Sequence, residues 1–265
     1  MLPGVKNTIK DGALGVLGAE ATGIFAAVGV SSIHGGGVKI FTDADQVGDS
    51  IGTGPLRDLI VSALSISKTT VYAIALEGTQ AGTVSTVTSG SSNSGGGTIT
   101  VTGDPRNEYD ITVEILTGGA LNVATFRVVV DGLPGKEQTV PDTPGSYEIP
   151  GTGLTITFDD AGGDFAAGDT FSFSATAPSA TSAEILSAVD TIIDEKLPLE
   201  WIAIAGTSDS ALWASMHTKA EEAAAVYQYL FFVAQARGIG DAETVDEWVT
   251  ALTGDERGSV VSTRL

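Results

Sequence analysis

Four aspartates, Asp159, Asp160, Asp164 and Asp169, crowd the stretch "TFDDAGGDFAAGDTF" and are the first residues whose type and spacing could do chemistry. Carboxylates gathered on one loop can hold a divalent cation, but calcium needs six to eight oxygens folded inward. The spacing here lacks the EF-hand pattern and its terminal glutamate. Aspartate also favours turns, because its side chain bonds neighbouring amides. The alternating apolar stretches Leu154-Ile156-Phe158 and Phe171-Phe173 flank the cluster. The expected structure is therefore a solvated β-hairpin tip, with a bound cation as the weaker alternative.

Other candidates are sparser. His34 lies in "SSIHGGG", a glycine-rich loop without the Gly-Lys-Ser/Thr of a phosphate loop, and reads as a turn residue. His217 stands one helical turn before Glu221, which predicts a helix-surface contact, since no second histidine completes a metal face. Gly52 and Gly54 precede a helix start at "GPLRDL" and read as its cap. Cysteine is absent, which removes thiolate nucleophiles, thiolate metal sites and disulfides together. No catalytic residues and no cofactor are expected.

The elements that would position these residues fall into two grammars. "GIFAAVGVSS" and "TTVYAIALEG" read as buried strands, and "TGPLRDLIVSALSIS" between them as a helix with Thr53 as its possible cap. Strand, helix, strand is an α/β unit. After the Gly/Ser/Thr-rich boundary "GTQAGTVSTVTSGSSNSGGG" come short alternating strands. Helical grammar returns at "TSAEILSAVDTIIDEKLP", with a capping box at Thr181 and Glu184. A strand "WIAIAG", one long helix over residues 209–238 and an amphipathic helix at "DAETVDEWVTALTG" follow. In the last, Val245, Trp248, Val249 and Leu252 are expected inward and Gly254 as the C-cap.

These segments predict an α/β core domain from both chain ends, residues 21–82 and 179–265, interrupted by an inserted all-β, sandwich-like domain at 97–178. Residues 1–20 form an N-terminal arm. Trp201, Trp213, Tyr227, Phe231 and Trp248 are expected in cores, as are Tyr109, Phe126, Tyr147, Phe158, Phe165, Phe171 and Phe173 of the β domain.

The chain of 265 residues carries a formal charge of −20, a field that repels phosphate backbones and anionic lipid. Neither nucleic acid nor membrane is expected as a partner, and the chain reads as soluble and not secreted. The arm is the exception in sign: up to Ala19 it carries Lys6 and Lys10 against Asp11.

The opening "GVKNTIKDGALGVLG" with "ATGIFAAVGVSSIHGGGVKIFTDADQVGDSIGTGPLRDLIVSAL" resembles the start of a contractile phage tail sheath protein. "FRVVVDGLPGKEQTVPDTPGSYEIPGTGLTITF" and "AAGDTFSFSATAP" are similar to the β insertion of many sheath-like proteins, and "EILSAVDTIID" and "WIAIAGTSDSALWASM" follow the same plan. Sheath proteins usually continue further, so the chain, ending at Leu265 on an apparent strand, is short for the family or truncated.

The resemblance implies a subunit that polymerises in helical rings around a tail tube and contracts to drive the tube through a host envelope. It implies the tube protein, baseplate and tail terminator as partners, and a virion tail assembled in the host cytoplasm. Val5, Lys6, Ile9, Lys10 and Leu14 of the arm would add a strand to a neighbour's sheet. The alternative is a non-enzymatic module of a phage particle that binds a glycan or host surface through the β domain.

Overall fold

The computed structural model describes residues 23–67, 69–236, 239 and 243–253. The expected arm at 1–20, the Gly254 cap and the strand at the chain's end lie outside them. The first elements are β1 (Phe25–Val30), β2 (Lys39–Phe41), α1 (Asp45–Ile51), α2 (Pro55–Ile66) and β3 (Val71–Leu76). A β-rich stretch follows: β4 (Thr88–Ser89), β5 (Thr98–Gly103), β6 (Tyr109–Thr117), β7 (Thr125–Val130) and β8 (Leu133–Pro134). It continues through β9 (Gln138–Thr139), β10 (Ser146–Ile149), β11 (Leu154–Asp159) and β12 (Thr170–Ala175). The last elements are α3 (Ser182–Asp194), β13 (Trp201–Ser208), α4 (Ser210–Ala225), β14 (Phe231–Ala236) and α5 (Val245–Thr253).

One sheet has the order β14-β13-β1-β3-β2. Its first four strands are parallel, and the short β2 lies antiparallel on β3. Period-two alternation sends β1 both ways. Phe25 and Ala27 face α1 and α2, packing with Val47, Ile51, Leu56, Ile60 and Leu64. Ala26 and Val28 face α3 and α4, packing with Ile185, Val189, Ile192, Leu212 and Met216. Both faces are covered, which is why β1 and β3 read as continuous apolar runs. β1 also approaches β13 closely, since a Cβ on Gly29 would lie 2.6 Å from the Ala205 Cβ. Gly29→Ala is expected to overpack this contact and destabilise by about 1–3 kcal/mol in urea unfolding; an unchanged midpoint would contradict the packing.

Several local expectations need correction. Thr53 does not cap α2: the N-cap is Gly54, at φ 137, where a Cβ would meet the Val30 carbonyl oxygen at 2.9 Å. Thr53 instead ties loops together, its amide donating to Ser32 Oγ at 2.9 Å. The capping box of α3 forms as expected, and the helix ends at Asp194.

The long helix over 209–238 is not one element. α4 stops at Ala225, Tyr227 takes φ 65, and the chain turns into the parallel strand β14. Aromatic and β-branched residues favour an extended, half-buried strand, and pairing with β13 satisfies their backbone. Tyr227 and Phe231, expected in a core, are 85% and 75% exposed. In α5, Val245 and Val249 are exposed rather than inward.

The β-rich stretch forms a β10-β11-β5 sheet and a β4-β12-β6-β7-β8 sheet, with β9 on β7. Their facing residues share one cluster containing Ile111, Val113, Phe126, Ile156, Phe158, Phe165, Phe171 and Phe173. Phe126 and Phe158 lie 4.6 Å apart between ring centroids, and Phe158 and Phe165 5.8 Å. Each such buried ring contributes about 1.5–3 kcal/mol.

Candidate assembly surface and the aspartate loop

The aspartate loop does not join a hairpin. β11 and β12 belong to different sheets, so residues 160–169 carry the chain across the β-rich core instead of turning back along one sheet. The loop's carboxylates point to separate tasks. Asp159 accepts from the amide of Ala161 at 2.8 Å, a local turn contact, and Asp160 accepts from the amide of Leu121 at 3.1 Å. Asp164 has an exposed side chain and contributes its carbonyl, which accepts from Gly96 N at 2.9 Å.

Asp169 differs from the other three: it is 1% exposed. Its Oδ1 accepts from the amide of Ser94 at 2.8 Å, and its Oδ2 from those of Ala166 at 2.9 Å and Gly95 at 3.2 Å. Burial pushes this carboxyl up, but the three amides together outweigh it and hold the group below its ordinary value. Next to it Asn93 and Thr170 exchange two hydrogen bonds of 2.8 Å. The Gly/Ser stretch expected as a boundary is thus strapped to the β-rich core. Among the described residues, no group of three or more acidic or histidine side chains could hold a metal ion.

The remaining polar candidates stay apart. His34 is exposed in the loop after β1. His217 Nε2 lies 3.3 Å from Glu221 Oε1 on the surface of α4, as the spacing predicted. Among the described residues no helix is long and apolar enough to cross a membrane.

A surface unseen in the sequence lies at the edge of the parallel sheet. Phe25, Trp201 and Phe231 are in register on β1, β13 and β14. Phe25 and Trp201 stack at 4.0 Å, with 5° between their planes. Exposure rises along this row, from 3% at Phe25 to half-buried Trp201 and 75% at Phe231. On the opposite face, Phe232 and Ala234 of β14 still pack against the α3/α4 layer. The outer edge of β14 pairs with no strand among the described residues. Exposed Val226, Tyr227 and Tyr229 extend the apolar surface beyond it. An edge strand with free backbone groups and apolar side chains is a template for another strand. The signal available in sequence was the alternation Tyr227, Tyr229, Phe231, Val233, hidden by the helical reading of 209–238.

The model of the family described as "DUF2586, N-terminal domain" matches residues 2–264. The chain belongs to the DUF2586 family. No curated protein matches this DUF2586 chain. Among solved structures it is similar to a sheath tail protein of Listeria innocua, at 14% identity and TM-score 0.36, over 80% of this chain and 47% of that one. A sheath tail protein of Desulfitobacterium hafniense matches at 22% identity and TM-score 0.36, over 81% of this chain and 49% of that one. The DUF2586 chain spans about half the length of these two structures.

Proposed function

We propose that this DUF2586 protein is a structural subunit of a contractile phage tail, a sheath subunit that polymerises in helical rings around the tail tube and contracts without an enzymatic step. The observation that carries the reading is the β14 edge, unpaired among the described residues, where an in-register aromatic row ends on the exposed ring of Phe231. It fits strand addition, in which backbone hydrogen bonds supply the link and pockets for alternate side chains the specificity. The arm at 1–20 supplies an apolar-studded segment, net positive up to Ala19, for an acidic neighbour, with Val5, Ile9 and Leu14 as the apolar contacts and Lys6 and Lys10 as the charges. The resemblance of the motifs quoted above to sheath proteins supports the same reading.

Under this proposal the partners are further copies of the chain, the tube protein, the baseplate and the tail terminator, in a virion tail assembled in the host cytoplasm. Binding of a glycan through the β-rich part draws less support, since Phe126, Phe158, Phe165, Phe171 and Phe173 are all buried. Negative-stain electron microscopy of the purified protein tests the proposal: tubes or stacked rings are expected at high concentration. Deletion of residues 1–20 is expected to leave a folded monomer that no longer polymerises. Tubes from the deletion variant overturn the role of the arm, and monomers of the intact chain at every concentration overturn the sheath reading.

A further inference from the structure

The β-rich part and the parallel sheet meet in a joint unlike either core. The chain crosses the joint twice, at residues 77–83 and 175–181, and the two crossings pair into a ribbon. Gln80 and Ser179 exchange backbone hydrogen bonds of 3.1 and 2.9 Å, and the Thr176 amide donates to the Thr83 carbonyl at 2.8 Å. Beside the ribbon, Asn107 Nδ2 donates to Asp58 Oδ2, tying the loop after β5 to the first turn of α2. Thr79 Oγ1 donates at 3.1 Å to Glu184 Oε2, the oxygen that also accepts from Thr181 in the capping box of α3.

The joint is tied by polar contacts and loosely filled. A solvent-open cleft of about 420 Å³ lies at it, where Ser31, His34 and Glu77 from the sheet side and Asp104 and Arg106 from the β-rich side stand among Val30, Ala81, Pro105 and Pro178. None of the hydrophobic clusters of the described residues spans it. One is confined to residues 84–175, and the others to 25–76 and 180–234. A close-packed apolar interface holds a single arrangement, whereas a polar junction inside one chain permits relative motion.

We infer that the joint is a hinge: the β-rich part turns as a body about the ribbon, and the Asp58–Asn107 hydrogen bond is the catch that holds the orientation seen here. Hinges of this kind absorb rotation in a few connecting residues while the packed bodies keep their internal contacts. The inference concerns the single chain and stands independently of polymerisation.

The absence of native cysteine makes the test direct. Nitroxide labels on Ser62→Cys, exposed on α2, and Glu137→Cys, exposed between β8 and β9, report the distance across the joint by pulsed electron paramagnetic resonance. One narrow distribution is expected in the labelled parent. Asn107→Ala and, separately, Asp58→Ala are each expected to broaden it about twofold or split it, with circular dichroism unchanged. Because the two substitutions lie on opposite sides of the joint, misfolding of one leaves the other as the test. An unchanged distribution in the folded variants overturns the catch, and a parent distribution already broad overturns it equally.

Discussion

Asp169→Ala is expected to lower the stability of the β-rich part by about 3 kcal/mol, because it removes three part-buried amide contacts to one buried carboxylate at about 1 kcal/mol each. The amides at risk are those of Ser94, Gly95 and Ala166. Asp169→Asn keeps the shape but turns an amide nitrogen toward a donor, so a loss of about 1.5–3 kcal/mol is expected. Asp159→Ala, removing only the local contact with Ala161, is expected to stay within about 0.5 kcal/mol. Urea unfolding of the three variants distinguishes a clamp from a cation loop. In a cation loop the substitutions would cost similar amounts, and calcium would raise the parent's midpoint.

The sign of the pH dependence follows from the same geometry. The folded-state carboxyl of Asp169 lies below its ordinary value, so its contribution is present above the unfolded pKa and is lost as pH falls through the folded pKa. Relative to Asp169→Asn, the parent is expected to lose its advantage only in the acid range below the ordinary carboxylate value. A constant difference between the two down to the acid limit would show that shape, not charge, holds the strap.

Elements defined by local pattern were legible in the sequence. β1 and β3 announced themselves as apolar runs, β1 bounded by Gly and Ser, and the Thr181–Glu184 cap sits where its spacing placed it. Failures arose where distant partners decide the outcome. Residues 226–236 carry both small helix formers nearby and a β-prone aromatic run, and only the free flank of β13 makes the strand win. β11 and β12 look like a hairpin because both alternate, yet each finds its partners elsewhere, β11 on β5 and β12 on β6. α1 and β2 are too short to carry a periodic signal. The role of Asp169 was invisible because two of its partners lie some 75 residues away, in a stretch that composition alone marks as a linker.

Residues 79–180, expressed alone, are expected to fold into a cooperative β unit. Their cluster takes no residue from outside 84–175 among the described residues, and it includes fully buried Phe126, Phe158, Phe171, Ile111, Ile115 and Ile156. About 100 residues is an ordinary size for a two-sheet domain with its own core. The ends of the fragment are held together, since Gln80 and Ser179 bond each other. The boundary read from sequence gives a sharper comparison. A fragment of residues 97–178 lacks β4 as well as the Asn93, Ser94 and Gly95 groups that engage Thr170 and Asp169. It exposes a strand edge and strips the buried carboxylate of two of its three amide donors. The longer fragment should therefore melt cooperatively, with near-ultraviolet signals from its packed rings, and the shorter one should melt at least about 10 °C lower or show no transition. Equal midpoints would mean that the strap adds nothing to the core. A longer fragment without a cooperative transition would mean that the β-rich part depends on the parallel sheet, and that the polar joint is an interface both parts need in order to fold.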